Sequence, residues 1–215
     1  MRRPAGPGSA ALPTGTHCLL FDTAFGRCAL AWSEHGLTAV SLPGYDDTQT
    51  LSRLQARPPP TSATSHTSPT TSAPAPPWVA AAVTAIQAHL SGQMQDLRDL
   101  PLDTEGVRGF ELRFYAATRA LDPGRTCTYG QMARALGEPA ALRAVGQALG
   151  HNPWPLVVPC HRVLAAGGKL GGFSAPGGSE TKRRLLVLEA RCGARASCFD
   201  RLRSMLWKVS GTRSA

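Results

Sequence analysis

No apolar run in this 215-residue chain approaches the roughly 20 residues that a membrane span requires, so no membrane association is expected. The start, Met1-Arg2-Arg3-Pro4-Ala5-Gly6-Pro7, is basic but has no apolar stretch behind it; a secretory signal is not expected, and the cytoplasm is the expected compartment. Six cysteines (Cys18, Cys28, Cys127, Cys160, Cys192 and Cys198) are sparse and irregular, with no Cys-x-x-Cys pair. In a reducing compartment that argues against a disulfide framework, and the absence of zinc-ligand spacing argues against a zinc finger. His17, Cys18, Cys28, His35 and His89 are scattered candidates for a metal site, but buried thiols and surface histidines account for them more simply. No nucleotide or metal signature is present, so no cofactor and no metal requirement are expected.

Acidic residues are also scarce, at 14 against 23 Lys and Arg, a net charge of +9. The imbalance is localised. Residues 1–100 hold six basic and six acidic residues, whereas residues 101–215 hold 17 and eight and carry the whole excess. A basic excess confined to one half points to a polyanionic partner for that half, the alternative being a merely soluble basic surface.

What is present divides the chain into stretches: a flexible N-terminus (1–16), an N-terminal α/β domain (17–100), a second domain (101–190) and a basic tail (191–215). Cys18–Phe21, Arg27–Trp32 and Leu37–Val40 read as the strands of a small meander, with turns at Ala24-Phe25-Gly26 and Glu34-His35-Gly36. Between residues 57 and 77, 16 of 21 residues are Pro, Ser or Thr, which predicts a flexible insert without a catalytic role. Helical spacing follows at Val79, Val83, Ile86 and Leu90, and again at Phe110, Phe114, Ala117 and Leu121. Two short helices come next: Thr128 caps Gln131–Leu136, Gly137 ends it, Pro139 starts Ala140–Leu149, and Gly150 ends that one. The pair reads as a helix-turn-helix, with the following strand, turn and Gly-rich stretch as a wing beside it. Ser179–Ala190 reads as a last helix, with Leu185 and Leu188 inward. The fold class expected is α+β: a meander with helices, then a winged helix-turn-helix-like domain that carries the site.

The most informative segment is Pro159-Cys160-His161-Arg162-Val163, preceded by Leu156-Val157-Val158 and followed by a Gly-rich stretch from Gly167 to Gly178. Consecutive side chains of a regular strand point to opposite faces, so Cys160 and His161 could not cooperate in one. Pro159 is expected to end a strand and turn the next residues into a pocket wall. A structural Cys at a strand end is the competing reading.

The wider pattern decides between them. From Thr128-Tyr129 through Arg143-Ala144-Val145-Gly146, Asn152-Pro153 and Pro159–Val163 to Glu189, the chain closely resembles the methylated-DNA–protein-cysteine methyltransferases, which repair O6-alkylguanine. The spacings of 14 from Tyr to Arg, nine from Arg to Asn and eight from Asn to Cys match as well. The likeness is strong over about 105–190 and weaker over 17–104, where Thr23-Ala24-Phe25-Gly26 and Pro101-Leu102-Asp103 resemble family landmarks. The resemblance implies a single-turnover transfer of the alkyl group from O6-alkylguanine in double-stranded DNA to Cys160, with O4-alkylthymine as a further substrate and a monomer as the acting species. It implies that His161 is the base, acting through a water, that Glu189 orients it, that Tyr129 donates to the ring nitrogen, and that Asn152 is the hinge between the second helix and the Cys strand. It makes Arg143 the finger that fills the space of an extruded base, with Leu142, Ala144, Gly146 and Thr128 against DNA. Pro155, Val163, Phe173 and Ser174 would form the base pocket.

Three departures stand out. Leu142 replaces a commonly small residue, Phe173 replaces a frequent Tyr, and the stretch Gly171–Gly178 is longer than in some relatives. Two other readings compete: a non-catalytic winged-helix sensor of alkylated bases, against which the presence of Cys160 argues, and a cysteine hydrolase, which would leave the Arg143 helix unexplained.

Overall fold

The computed structural model describes residues 17–55, 75–107 and 109–191. The N-terminal 1–16, nearly all of the Pro/Ser/Thr tract and the tail from 192 onward lie outside them.

Strands β1 (His17–Thr23), β2 (Gly26–Ser33) and β3 (Gly36–Ser41) form the expected antiparallel meander in sequential order, each one or two residues longer at its ends than the apolar runs. The register sets Phe21 opposite Cys28 and Leu30 opposite Val40. Side chains alternate across β2: Cys28, Leu30 and Trp32 enter the main core, while Ala29 and Ala31 join Cys18, Ala39 and Leu54 in a smaller cluster on the other face. A strand covered on both sides reads as one continuous apolar run, as this one does. Gly36 is required by a close approach: at φ 141° a Cβ there would lie 2.7 Å from the Pro101 carbonyl. That approach lets Leu37 N–H donate to Pro101 O and Asp103 N–H donate to Leu37 O, both at 2.9 Å.

A short helix that the apolar periodicity did not predict, α1 (Asp47–Ser52), follows β3 and is capped by Asp46, whose Oδ1 accepts from Gln49 N–H at 2.7 Å. Helix α2 (Pro77–Leu90) begins at the last proline of the tract, which sits in the first turn, where a missing N–H costs nothing. Its inward face is Val79, Ala82, Ile86, His89 and Leu90; Val83, expected inward, is only half-buried because the stripe drifts toward His89. Helix α3 (Gly109–Arg119) buries Phe114, Tyr115, Ala117 and Thr118, with Phe110 half-buried at its start.

Beyond α3, a two-residue strand β4 (Cys127–Thr128) runs into α4 (Tyr129–Ala135), followed by α5 (Leu142–His151), the two-residue β5 (Val163–Leu164) and α6 (Gly178–Ala190). Strands β4 and β5 pair in parallel. Thr128 caps α4 as expected, within a full capping box: its Oγ accepts from Gln131 N–H at 3.3 Å and its own N–H donates to Gln131 Oε1 at 2.7 Å. Thr128→Ala should therefore cost about 1 kcal/mol of stability, read as a lower denaturation midpoint at unchanged m-value.

Three sequence expectations are corrected here. Helix α5 starts at Leu142, two residues later than Ala140, because Pro139 and Ala140 belong to the turn. It also runs through Gly150 to His151, and what ends it is Asn152-Pro153, since a residue before proline is driven out of the helical region. Leu156–Val158 is not a strand. It is a compact turn in which Leu156, buried, adopts a left-handed φ of 78°, a conformation that costs a non-glycine residue roughly 1–2 kcal/mol. The stretch expected as a wing does hold β5 and then a turn within Ala165–Lys169, where Ala165 N–H donates to Lys169 O at 2.8 Å, before it continues as loop to α6. On α6, Leu185 is buried but Leu188 is half-buried.

One apolar cluster runs through both halves of the chain, from Trp32 and Leu37 through Ile86 and Phe114 to Trp154 and Val163. Polar contacts join the same halves. Trp154 Nε1–H donates to Leu37 O at 2.7 Å, and Val40 N–H donates to Pro153 O at 2.8 Å. No helix of the described residues is long and apolar enough to cross a membrane.

Candidate active site

Cys160 opens a single 3₁₀ turn, Cys160–Arg162, set by Pro159 at φ −77° and closed by Arg162 N–H donating to Pro159 O at 2.9 Å. The turn eases the geometric problem of adjacent Cys and His side chains: successive positions diverge by about 120° in such a turn rather than by the 180° of a strand. The structure buries both, with Cys160 at 2% exposure and His161 at 0%.

Glu189, from α6, lies behind His161 and is itself buried. Its Oε1 accepts from His161 Nε2 at 3.0 Å. With the proton on Nε2, His161 presents Nδ1 as its acceptor, and that nitrogen has no hydrogen-bond partner among the described protein atoms. Arg162 clasps the carboxylate with both arms, Nε to Oε2 at 2.9 Å and Nη2 to Oε1 at 2.7 Å, while its Nη1 donates to Leu121 O. Gly124 N–H adds a bond to Oε2 at 3.1 Å. Burial pushes the Glu189 carboxyl up, but the bonds from His161, His89 and Arg162 outweigh it and hold the group well below the usual carboxylate range. Burial drives His161 down, against the pull of Glu189 and with help from Arg162, so its imidazole is neutral at neutral pH.

The thiol is not ionised at rest. Burial raises Cys160 above the usual thiol range, and the Asn152 side chain and the Lys182 charge only partly oppose that. Lys182 is fully buried on α6, donating Nζ to Val163 O at 2.7 Å and Gly172 O at 3.4 Å, and burial lowers its pKa. Asn152 ties the end of α5 to the turn before the cysteine: Nδ2 donates to Val158 O at 2.9 Å, and Oδ1 accepts from Trp154 N–H at 3.0 Å.

Tyr129 is half-buried at the start of α4, and burial, with a smaller contribution from Cys160, raises the pKa of its hydroxyl. Gly171 at φ 68° leaves room for that hydroxyl, since a Cβ there would lie 3.2 Å from it. Val163 is buried beside the turn, Pro155 is buried within the preceding turn, Phe173 is half-buried against the core, and Ser174 is exposed on the loop. That loop is tied to the N-terminal half by Arg53 Nη1, which donates to Ser174 O at 2.8 Å. On α5, Val145, Ala148 and Leu149 pack inward while Leu142 and Arg143 are exposed; Ala144 is half-buried, and the ideal Cβ position at Gly146 is open. Thr128, expected against DNA, has its side chain engaged in the α4 cap.

Arg162, Lys182 and His89 belong to the site without having been singled out for it. Lys182 shares a helical face with Leu185 and Glu189 at i, i+3 and i+7, a phase that separates it from the exposed Arg183 and Arg184. His89, expected among surface histidines, is buried, and its Nε2 lies 3.3 Å from Glu189 Oε1. Among the described residues no group of three or more His, Cys, Asp or Glu is placed to hold a metal ion.

Comparison with known proteins shows what the chain is similar to. The family model described as the DNA-binding domain of 6-O-methylguanine DNA methyltransferase matches residues 109–191. A methylated-DNA–protein-cysteine methyltransferase of Mycolicibacterium paratuberculosis is 44% identical over 112 residues, 52% of this chain and 66% of that protein. One from Mycobacterium bovis is 41% identical over 128 residues, 59% of this chain and 75% of that protein. The crystal structure of Mycobacterium tuberculosis OGT in complex with DNA superposes with a TM-score of 0.61 at 33% identity, covering 81% of this chain and 93% of that one. With three quarters of a relative covered at that identity, and with the Cys-His-Glu arrangement set on the matching segment, the chain belongs to the methylated-DNA–protein-cysteine methyltransferase family.

Proposed function

We propose that this protein repairs DNA by moving the alkyl group of O6-alkylguanine onto Cys160, once per molecule. The observation that carries this reading is the buried His161–Glu189 pair next to the buried Cys160: Glu189 fixes the proton of His161 on Nε2 and leaves Nδ1 free to accept. A thiol held protonated by burial needs a base to become a nucleophile, and a neutral imidazole oriented by a carboxylate is such a base. The proton leaves Cys160 for Nδ1 through a bridging water. The sulfur then attacks the alkyl carbon, the carbon–O6 bond breaks, and its electron pair returns to the base, whose ring nitrogen takes a proton from the Tyr129 hydroxyl; the proton that His161 took from the thiol then restores the tyrosine through water. Asn152 and Lys182 stabilise the transient thiolate.

An alkylated base is unreachable within its stack, so it is rotated out and enters the pocket formed by Val163, Phe173, Ser174 and Pro155. Helix α5 lies in the groove with Arg143 in the vacated position and Ala144 and Gly146 allowing close approach. DNA is gripped mainly by the basic residues after position 100. The acting species is a monomer on alkylated duplex.

Mass spectrometry after mixing the protein with methylated duplex DNA tests this. One methyl should arrive per molecule, on the peptide containing Cys160, with no added cofactor, because a thioether is a poor leaving group and nothing at the site cleaves it. Sustained turnover, or a methyl on another residue, would overturn the reading.

A further inference from the structure

His89 is the one buried histidine in the described residues that the transfer mechanism leaves unused. It comes from α2, 100 residues away from Glu189, and reaches the same carboxylate oxygen that orients His161. Oε1 of Glu189 thus accepts from His161 Nε2 at 3.0 Å, Arg162 Nη2 at 2.7 Å and His89 Nε2 at 3.3 Å. The other face of the His89 ring is also engaged, with Nδ1 3.3 Å from both Gln95 N and Gln95 O; an ionised carboxylate can only accept, so Nε2 carries a proton and the ring is a donor to Glu189.

We propose that His89 is a positioning residue of the alkyl-transfer site: by sharing Oε1 with His161, it makes the N-terminal half part of the relay and limits how strongly Glu189 can hold a protonated His161. The inference rests on the alkyl-transfer reading. A carboxylate oxygen has two lone-pair directions, so three donors on Oε1 compete. Each donor weakens the bond that the others make. A strongly bound imidazolium would not return its proton and would be protonated at higher pH, lost as a base. Competition from His89 therefore keeps His161 neutral further into the acid range, in the same direction as burial. Arg162 and Gly124 already fix the plane of the carboxylate, so removing His89 should alter basicity more than geometry. The charged and titratable groups around His89 are Glu189 from α6, His161 and Arg162 from the catalytic turn, Asp96 and Arg98 from the segment after α2, and Arg119 from α3, several of which line one cleft with it.

The test is single-turnover methyl transfer to Cys160 from pH 5 to 9 for the full chain, its His89→Leu variant and its His89→Gln variant. The amide of Gln restores a neutral donor near Nε2 and does not titrate. The Leu variant should have the acid limb of its rate profile moved to higher pH, with a deficit that is absent above pH 8 and grows toward about fivefold, the size of one neutral hydrogen bond, on the acid side of the limb. The Gln variant should keep the parent limb, and affinity for unmodified duplex should be unchanged in both. A purely structural His89 would give a loss equal at every pH, with Gln no better than Leu; either that result or a parent-like profile for Leu overturns the proposal. Should Leu not fold, an acid limb moved in the Gln variant overturns it as well. A parent protein that fails to methylate Cys160 would instead count against the alkyl-transfer reading itself.

Discussion

His161→Ala should slow methyl transfer by on the order of 10²–10⁴ at neutral pH, the usual cost of removing a positioned base, while leaving DNA affinity nearly unchanged. The direction of the Cys160 shift sets the rest of the expectation. Burial holds this thiol above the ordinary range, so the fraction ionised without help at pH 7 is well below the few per cent of a free thiol. Lys182 and Asn152 oppose burial but do not overcome it. In the parent, His161 takes the proton as the reaction proceeds, and because its own pKa is lowered the rate should stay level from neutral pH down to below the usual histidine range. In the variant the rate should instead climb about tenfold per pH unit and keep climbing past the ordinary thiol pKa, because only the spontaneously formed thiolate reacts. The measurement is the pH dependence of single-turnover alkylation of Cys160 in both proteins. A variant with the parent rate and a flat profile would mean that the sulfur is activated by another group, with Lys182 the first to examine.

Much of the site was legible because its signals are local. Thr128 with Gln131 is a capping pattern, and Cys160-His161 sits after a proline that forbids regular structure. The meander was legible for the same reason: alternation and tight turns are short-range. What escaped was set by packing between distant segments. Nothing near Leu156 announces a left-handed residue, since three apolar residues in a row read as a buried strand; the turn exists because Asn152 bonds Val158 O and Trp154 N–H across it. His89 and Glu189 are 100 residues apart, and only folding reveals that the carboxylate oxygen facing His161 faces His89 as well. Arg162 stands in the motif itself, yet its partners Leu121 O and Glu189 come from two other segments. Helix phase alone marked Lys182 as inward, and it was hidden by the two exposed arginines that follow it.

Arg143→Ala should lose activity on methylated duplex by roughly 10–10³-fold, the factor that corresponds to a few kcal/mol of uncompensated unstacking, and should react with free O6-alkylguanine at close to the parent rate. The placement of Arg143 favours a role toward DNA over a role in the fold. It is exposed in the first turn of α5, where the helix dipole disfavours a cation, and no acidic residue shares that turn. Stability therefore gains nothing from a positive charge there, whereas phosphate oxygens are drawn to helix N-termini and a long guanidinium can reach past them. The inward residues of the same helix, Val145, Ala148 and Leu149, anchor it to the core, so truncating Arg143 should leave the fold intact. Arg143→Lys discriminates between the two ways such a residue can act. If Arg143 stands in the stack, its planar fork matters and Lys should recover only part of the rate on duplex. If it merely pairs with a phosphate, Lys should substitute well, and the Ala defect should fade at high salt as the electrostatic term is screened. The measurement is single-turnover alkylation of Cys160 on duplex and on free base for the parent, Ala and Lys forms at two ionic strengths. Equal losses on duplex and free base would place Arg143 in support of the pocket and remove it from the extrusion step.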